Sequence, residues 1–278
     1  MSHPALARLH PTPHHPESPE RLAALLDAFE WEAVEPAGRE DVVRCHDPAY
    51  VDSVAAIAEP TWLDADTIAS ATTYEAALLA AGAAIEAVRR GGFAFVRPPG
   101  HHALPERAMG FCIFDSIAIA ARRAQAMDGV ERVAIVDFDV HHGNGTQEIF
   151  WDDPSVLLVS LHQWPFYPGT GGPADQGETT VNVPLAAGSG DDEYLRAFER
   201  VVEPTVRRFE PDLVLVSAGF DAHEEDPLAQ MLVTEEGFRE IARRCRGLGA
   251  RVAAVLEGGY NLETLPRLVR AALEGFTT

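Results

Sequence analysis

Val133-Ala134-Ile135-Val136-Asp137-Phe138-Asp139-Val140-His141-His142-Gly143-Asn144-Gly145 is the stretch on which the fold turns. Four β-prone apolar residues in a row, with no polar alternation, describe a strand buried on both faces, as in parallel sheets. The pattern then changes. Asp137, Asp139 and His141 fall at i, i+2 and i+4, so an extended backbone points all three to one side while Phe138 and Val140 face into packing. A helical pattern comes next over 144–151. Strand, polar carboxyl end, helix is the repeating module of an α/β protein.

The module recurs on either side. Apolar runs at 93–96, 156–159, 213–216 and 252–256 alternate with helical patterns at 114–127, 191–208, 234–248 and 261–275. The expected fold class is therefore α/β, a three-layer αβα with a central, mostly parallel sheet. Before residue 90 the sequence predicts helices only. Ser18-Pro19 and Asp47-Pro48 read as starts with a capping side chain and proline at the first helical position. Thr72 with Glu75 reads as a capping box for a helix through Arg90. Residues 163–190, rich in Pro and Gly, form the longest irregular stretch, and long loops in compact domains are usually functional.

The loops after the apolar runs carry the chemistry. These five carboxyl-end loops hold Arg97-Pro98-Pro99-Gly100-His101-His102, the Asp137–Gly145 segment quoted above, Ser160-Leu161-His162-Gln163, Ser217-Ala218-Gly219-Phe220-Asp221-Ala222-His223 and Glu257-Gly258-Gly259-Tyr260. Open parallel sheets bind their ligands at that edge.

Composition narrows the classes. The 278 residues carry 22 basic against 43 acidic side chains, a net charge of −21, with 46% hydrophobic residues. One large core is expected, spanning 1–278 as a single domain, near the roughly 250–300 residues at which single cores stop growing. Nucleic acid is excluded as a partner because binding it requires a basic footprint. Every basic residue is Arg, which removes Schiff-base, Walker-type P-loop and kinase chemistry, all dependent on Lys. Cys45, Cys112 and Cys245 are far apart and form no C-x-x-C, so neither a disulfide framework nor a thiolate zinc cluster is expected. No apolar run resembles a signal peptide or approaches the ~18 residues of a membrane span. The expected setting is cytoplasmic, without a membrane partner. The sequence carries no signal for oligomeric state.

Asp139 and His141 suit a shared ion, and Asp221 can converge on it from another strand end. Two carboxylates and one imidazole balance a divalent cation and leave a position for water, as a catalytic zinc site requires. Mixed N/O ligation also suits Fe(II), Co(II) or Mn(II).

Taken together, these motifs resemble the zinc-dependent histone deacetylase family, of the arginase–deacetylase fold, over nearly the whole chain. The similarity starts at His15-Pro16-Glu17-Ser18-Pro19-Glu20-Arg21-Leu22 and continues through the His101–His102 loop, Gly110-Phe111-Cys112, Asp137–Gly145, Phe166-Tyr167-Pro168-Gly169-Thr170-Gly171, Ser217–Asp221 and Glu257–Tyr260. Asn144 resembles the class II branch, in which acetylpolyamine amidohydrolase relatives also fall. The resemblance implies that Asp139, His141 and Asp221 hold the metal. It implies that His101 and His102 are the paired active-site histidines, with Asp137 behind the first and Asn144 behind the second, and that Tyr260 is the electrophilic partner. A carboxylate favours an imidazolium at His101, whereas a neutral amide leaves His102 free to exchange a proton near neutrality. His102 is therefore expected as general base and then acid. The resemblance further implies a channel walled by Gly110, Phe111, Phe166 and Tyr167, a rim carboxylate at Asp66, Arg21 below the metal, and Leu228 at the substrate. It also implies a structural potassium ion held by Asp137, Asp139, His141, Ser160 and Leu161.

Two departures from the family stand out. Asp115 occupies a position usually held by Asn, and a buried carboxylate needs a partner. Leu228 stands where polyamine-selective relatives carry Glu. The expected reaction is hydrolysis of the amide of an acetyl-lysine peptide or a small acyl amine through a metal-activated water. Acetylpolyamines, other small acyl amines and esters are alternative substrates. An arginase-like dimanganese ureohydrolase and a binding protein that retains the pocket without catalysis are the competing readings.

Overall fold

In a computed structural model of the chain, residues 1–127 and 129–278 are described. The strands are β1 (Thr61–Trp62), β2 (Ile68–Ala69), β3 (Phe93–Ala94), β4 (Val133–Asp137), β5 (Val156–Gln163), β6 (Thr180–Leu185), β7 (Leu213–Ala218) and β8 (Val252–Leu256). β1 and β2 form a small antiparallel hairpin. The other six form one sheet in the order β3-β8-β7-β4-β5-β6, and the pairs β3–β8, β4–β5, β4–β7 and β5–β6 are parallel. The α/β class with a central parallel sheet and flanking helices is thus observed. All residues of β4, β5 and β7 are buried, which accounts for their unbroken apolar runs.

Contacts group the chain into two compact units. The first comprises residues 1–129, 144–149 and 253–257. In it the helix Thr73–Arg90, lined with alanine on its buried face, packs against the helix Ser116–Met127. The second comprises residues 130–143, 150–252 and 258–278. In it Glu235–Arg246 packs against Leu265–Thr277.

Several local expectations are corrected. β6 lies inside the stretch expected to be irregular; only Thr180 and Asn182 are buried along it, and Pro184 withholds one donor. Thr72 does not cap its helix, because its hydroxyl donates to Leu9 O at 2.6 Å instead. Ser18 makes no side-chain cap, although Pro19 does open the helix; Asp47 does cap, accepting from Ala49 N. The helix expected over 191–208 is interrupted by a π-helical turn at Phe198–Val202, just before Pro204, which lacks an N–H for the i→i−4 ladder. Among the described residues no helix is long and apolar enough to cross a membrane.

Candidate active site

In the second unit, the carboxyl ends of β4 and β7 bring Asp139, His141 and Asp221 together. Their ligand atoms all lie within 4.8 Å of one another. The extended turn after β4 is held by its own carboxylates: Asp137 Oδ1 accepts from Asp139 N at 3.0 Å, and Asp139 Oδ1 from His141 N at 2.9 Å. Asp221 Oδ1 accepts from Val140 N at 2.9 Å, and Asp139 Oδ2 from Gly258 N at 2.7 Å.

Asp221 Oδ2 is buried without a hydrogen bond, while His141 Nδ1 stands 3.2 Å from it. Burial and the charge of Asp139 push the Asp221 carboxyl above its usual range. Burial disfavours a charged His141, yet the carboxylates of Asp139 and Asp221 beside it outweigh that and raise it to about 10. Both shifts report an excess of negative charge in a dry pocket. The space beside the carboxylates depends on glycine. A Cβ on Gly219 would stand 2.0 Å from Asp139 Oδ2, and one on Gly258 would stand 2.1 Å from Asp221 Oδ2. An unpartnered buried oxygen, a donor set of two carboxylates and one imidazole, and a cradle that any side chain would fill all fit a divalent cation.

Phe166 stacks on the His141 ring at 5.3 Å between centroids, and Tyr167 meets it edge-on at 6.0 Å. Their loop is anchored behind: His142 Nδ1 pairs with Thr170 Oγ1 at 2.8 Å and His162 Nε2 with Gly171 O at 2.8 Å. Ser160 and Leu161 are buried on β5, and Ser160 Oγ pairs with His162 Nδ1. Tyr260 is partly exposed, and its backbone N–H donates to Asp226 Oδ2 at 2.7 Å. Asp226 Oδ1 accepts from Leu228 N at 2.9 Å, so one buried carboxylate ties the expected electrophilic residue to an expected substrate-binding residue.

In the first unit the rings of His101 and His102 lie 4.0 Å apart between centroids. His102 Nδ1 meets Asn144 Oδ1 at 2.7 Å, and the Asn144 amide N–H donates to Met109 Sδ at 3.3 Å. That second bond orients the amide, so its oxygen faces the ring and the proton sits on His102 Nδ1. Gly110, at φ +57°, has no room for a Cβ, which would stand 2.5 Å from His102 Cδ2. Phe111 N donates to Thr67 Oγ1, and the Phe111 ring meets His15 edge-on at 4.5 Å. His15 in turn pairs with the main-chain O of Asp66 at 3.0 Å, so the expected rim residue and the Phe111 ring share His15 as a neighbour. Burial, then the neighbouring Asp64, push the Asp66 carboxyl up.

Arg21 is fully buried, donating to Glu17 Oε1 at 3.2 Å and to Glu257 O at 2.6 Å. Burial raises a carboxyl, but Arg97, His10 and Arg21 outweigh it and hold Glu17 below its usual range. Asp115 has its partners: Oδ1 accepts from Ala118 N and Oδ2 from Thr146 Oγ1.

Three residues to which the sequence assigned no role prove structural to the site. Glu257 Oε2 accepts from Gly100 N at 2.7 Å and His101 N at 3.2 Å, clamping the histidine loop. Arg97 grips Glu17 with two bonds, 2.8 and 2.9 Å. Asp226 fixes the Tyr260 turn. For Glu257 the signal was available, namely a carboxylate directly after a buried apolar run and before two glycines.

The histone deacetylase domain profile matches residues 15–276. A histone deacetylase-like amidohydrolase of Pseudomonas aeruginosa is 41% identical over 289 residues, which cover 94% of this chain and 76% of that protein. The crystal structure of the HDA15 HD domain superposes with a TM-score of 0.91 at 38% identity, covering 94% of this chain and 82% of that one. An acetylpolyamine aminohydrolase from Burkholderia pseudomallei superposes with a TM-score of 0.87 at 30% identity, covering 94% and 91% of the two chains.

Proposed function

The chain belongs to the histone deacetylase family, and from that premise we propose that it is a zinc-dependent deacylase of acetyl-lysine or related acylated amines. The convergence of Asp139, His141 and Asp221 around a glycine-walled space carries the proposal. When bound there, a divalent cation supplies Lewis-acid polarisation of an acyl carbonyl and acidifies water.

The chain's own residues do the rest. His102 carries its fixed proton on Nδ1, so Nε2 is the atom that takes a proton from the attacking water and returns it to the departing amine. Asn144 orients that ring without adding charge. His101, backed by the carboxylate of Asp137, stays cationic and stabilises negative charge. The Tyr260 hydroxyl donates to the developing oxyanion. Gly110, Phe111, Phe166 and Tyr167 wall the path of an aliphatic stem, and Asp66 orients the substrate at the rim. Arg21 steadies the floor of the site, and Leu228 lines the substrate near Tyr260. Asp137, Asp139, His141, Ser160 and Leu161 would hold a structural potassium ion, which would stiffen the metal-ligand turn. The three cysteines, all buried thiols, fit a reducing cytoplasm.

Chelation is expected to abolish release of free amine from an acetyl-lysine reporter, and zinc to restore it. Full turnover after exhaustive metal removal defeats the proposal. A panel of acyl-lysine peptides, acetylpolyamines and small esters, compared by kcat/KM, ranks the substrate classes. Leu228, with no charge to offer a second amine, leads us to expect no strict polyamine preference.

A further inference from the structure

We propose that His101, Cys112 and Glu257 form a second metal site, one that takes a soft divalent cation and silences the enzyme when filled. A ring nitrogen, a thiol sulfur and a carboxylate oxygen from these residues all lie within 4.8 Å of one another, and all three residues are buried. All three belong to the first unit, whereas Asp139, His141 and Asp221 belong to the second. Cys45 and Cys245 are also buried but stand in no such group among the described residues.

The fold assembles this trio for reasons of its own. β3 and β8 are parallel neighbours, with Phe93 opposite Ala254 and Ala94 opposite Val255, so the residues after both strands emerge at one edge. Glu257 Oε2 then binds Gly100 N and His101 N, which fixes the His101 backbone against the carboxylate. Cys112 is folded back by a turn in which its N–H donates to Met109 O at 3.0 Å and its thiol to Gly110 O at 3.4 Å. Ligands that are already ordered lose little entropy on capturing an ion.

Charge and softness define the ligand. One thiolate and one carboxylate with a neutral imidazole neutralise a divalent cation, so on binding the thiol proton and the second ring proton of His101 both leave to solvent. A sulfur donor selects zinc or cadmium over magnesium or calcium. The Asp139–His141–Asp221 set has no sulfur, so the two sites differ in chemistry and in spectroscopy. An ion held by His101 removes that ring from its electrostatic task. This inhibitory consequence rests on the deacylase proposal above; the site itself does not.

Metal-free protein is titrated with cadmium while thiolate-to-cadmium charge-transfer absorption and bound metal are followed. Two equivalents are expected, one of which brings the band. Cys112→Ser should remove the band and one equivalent and keep the other, while the Cys45→Ser/Cys245→Ser double variant should keep both. In the unaltered chain, reporter turnover should fall at least tenfold as zinc rises past one equivalent. No band, a band that survives Cys112→Ser, or a single equivalent overturns the proposal. Should Cys112→Ser fail to fold, X-ray absorption on the cadmium-saturated unaltered chain decides, since one sulfur ligand supports the site and none overturns it. A chain inert toward every acyl substrate but showing the cysteine-dependent band defeats the deacylase proposal alone.

Discussion

Asp221 divides its two oxygens between folding and chemistry. Oδ1 holds Val140 N and so fixes the turn after β4, while Oδ2 is left without a hydrogen bond beside Gly258. The glycine is thus as much a part of the cation site as the carboxylate. Gly258→Ala would set a methyl group 2.1 Å from Asp221 Oδ2 and 2.6 Å from Asp139 Oδ2. Metal affinity should fall by about 10–100-fold, the scale on which disturbed ligand support acts, while the fold loses roughly 1–3 kcal/mol to crowding. Equilibrium metal binding and urea unfolding of the same variant check both halves. An unchanged affinity would show that the carboxylates do not need that space. For the proton and the oxyanion, His102→Ala and Tyr260→Phe should each cut turnover by roughly two or more orders of magnitude with the fold intact. Near-normal turnover in either removes that residue from the mechanism.

Elements show why some of this was readable beforehand. Strands β4, β5 and β7 are buried on every residue, so hydrophobicity alone marks them. β6 is only partly buried and contains Pro184, and its pairing with β5 supplies the order that composition does not reveal. Thr72 failed as a cap because Leu9, distant in sequence, offered its hydroxyl another acceptor. That Asp139 and His141 share a face could be read from their spacing at one strand end, whereas Asp221 joins them from the end of β7; Asp226 escaped because it acts on a backbone N–H that sequence does not place near it. Asp115 belongs at this scale, since it starts the helix Ser116–Met127 through Ala118 N and reaches Thr146, whose N–H holds His101 O. The Thr146 hydroxyl donates to a carboxylate, but it equally accepts from an amide. Asp115→Asn should therefore lie within about 1 kcal/mol of the unaltered chain, and Asp115→Ala should lose about 1–2 kcal/mol or more with its cap. Urea unfolding of the pair separates them. An Asn variant as damaged as the Ala variant would mean that the negative charge, not the hydrogen bonds, is what the site uses.

At the scale of the whole molecule, acid should act through buried imidazoles before it acts on the surface. His10 and His46 are almost completely buried, and burial holds both down at about 4 against an ordinary 6.5. For His46 the geometry agrees: Nδ1 donates to Leu104 O at 3.0 Å and Nε2 accepts from Asp115 N at 2.9 Å, so a second ring proton would break the latter bond. Proton counting sets the sign. Between about pH 6.5 and 4 the unfolded chain protonates both rings and the folded chain does not, so their contribution to stability falls as pH falls through that window and adds no slope above it. The pair amounts to several kcal/mol, because each tenfold change in proton affinity is worth about 1.4 kcal/mol. Glu17, held below its usual range, adds a loss of the same sign at still lower pH. The net charge of −21 works the other way, since acid relieves self-repulsion, but salt near 0.15 M screens it beyond about 8 Å and leaves buried rings untouched. Unfolding midpoints in urea, measured at that salt from pH 8 to 5, should drop as pH falls below about 6.5, whereas above it His141, raised to about 10, gives a slope of the opposite sign. His46→Gln keeps an amide at the site without a group that titrates there, so its stability at pH 8 is free to differ while its slope between pH 6.5 and 5 should be shallower. A midpoint that stays level down to pH 5, or a His46→Gln slope equal to that of the unaltered chain, would show that these imidazoles do not set the acid limit of the fold.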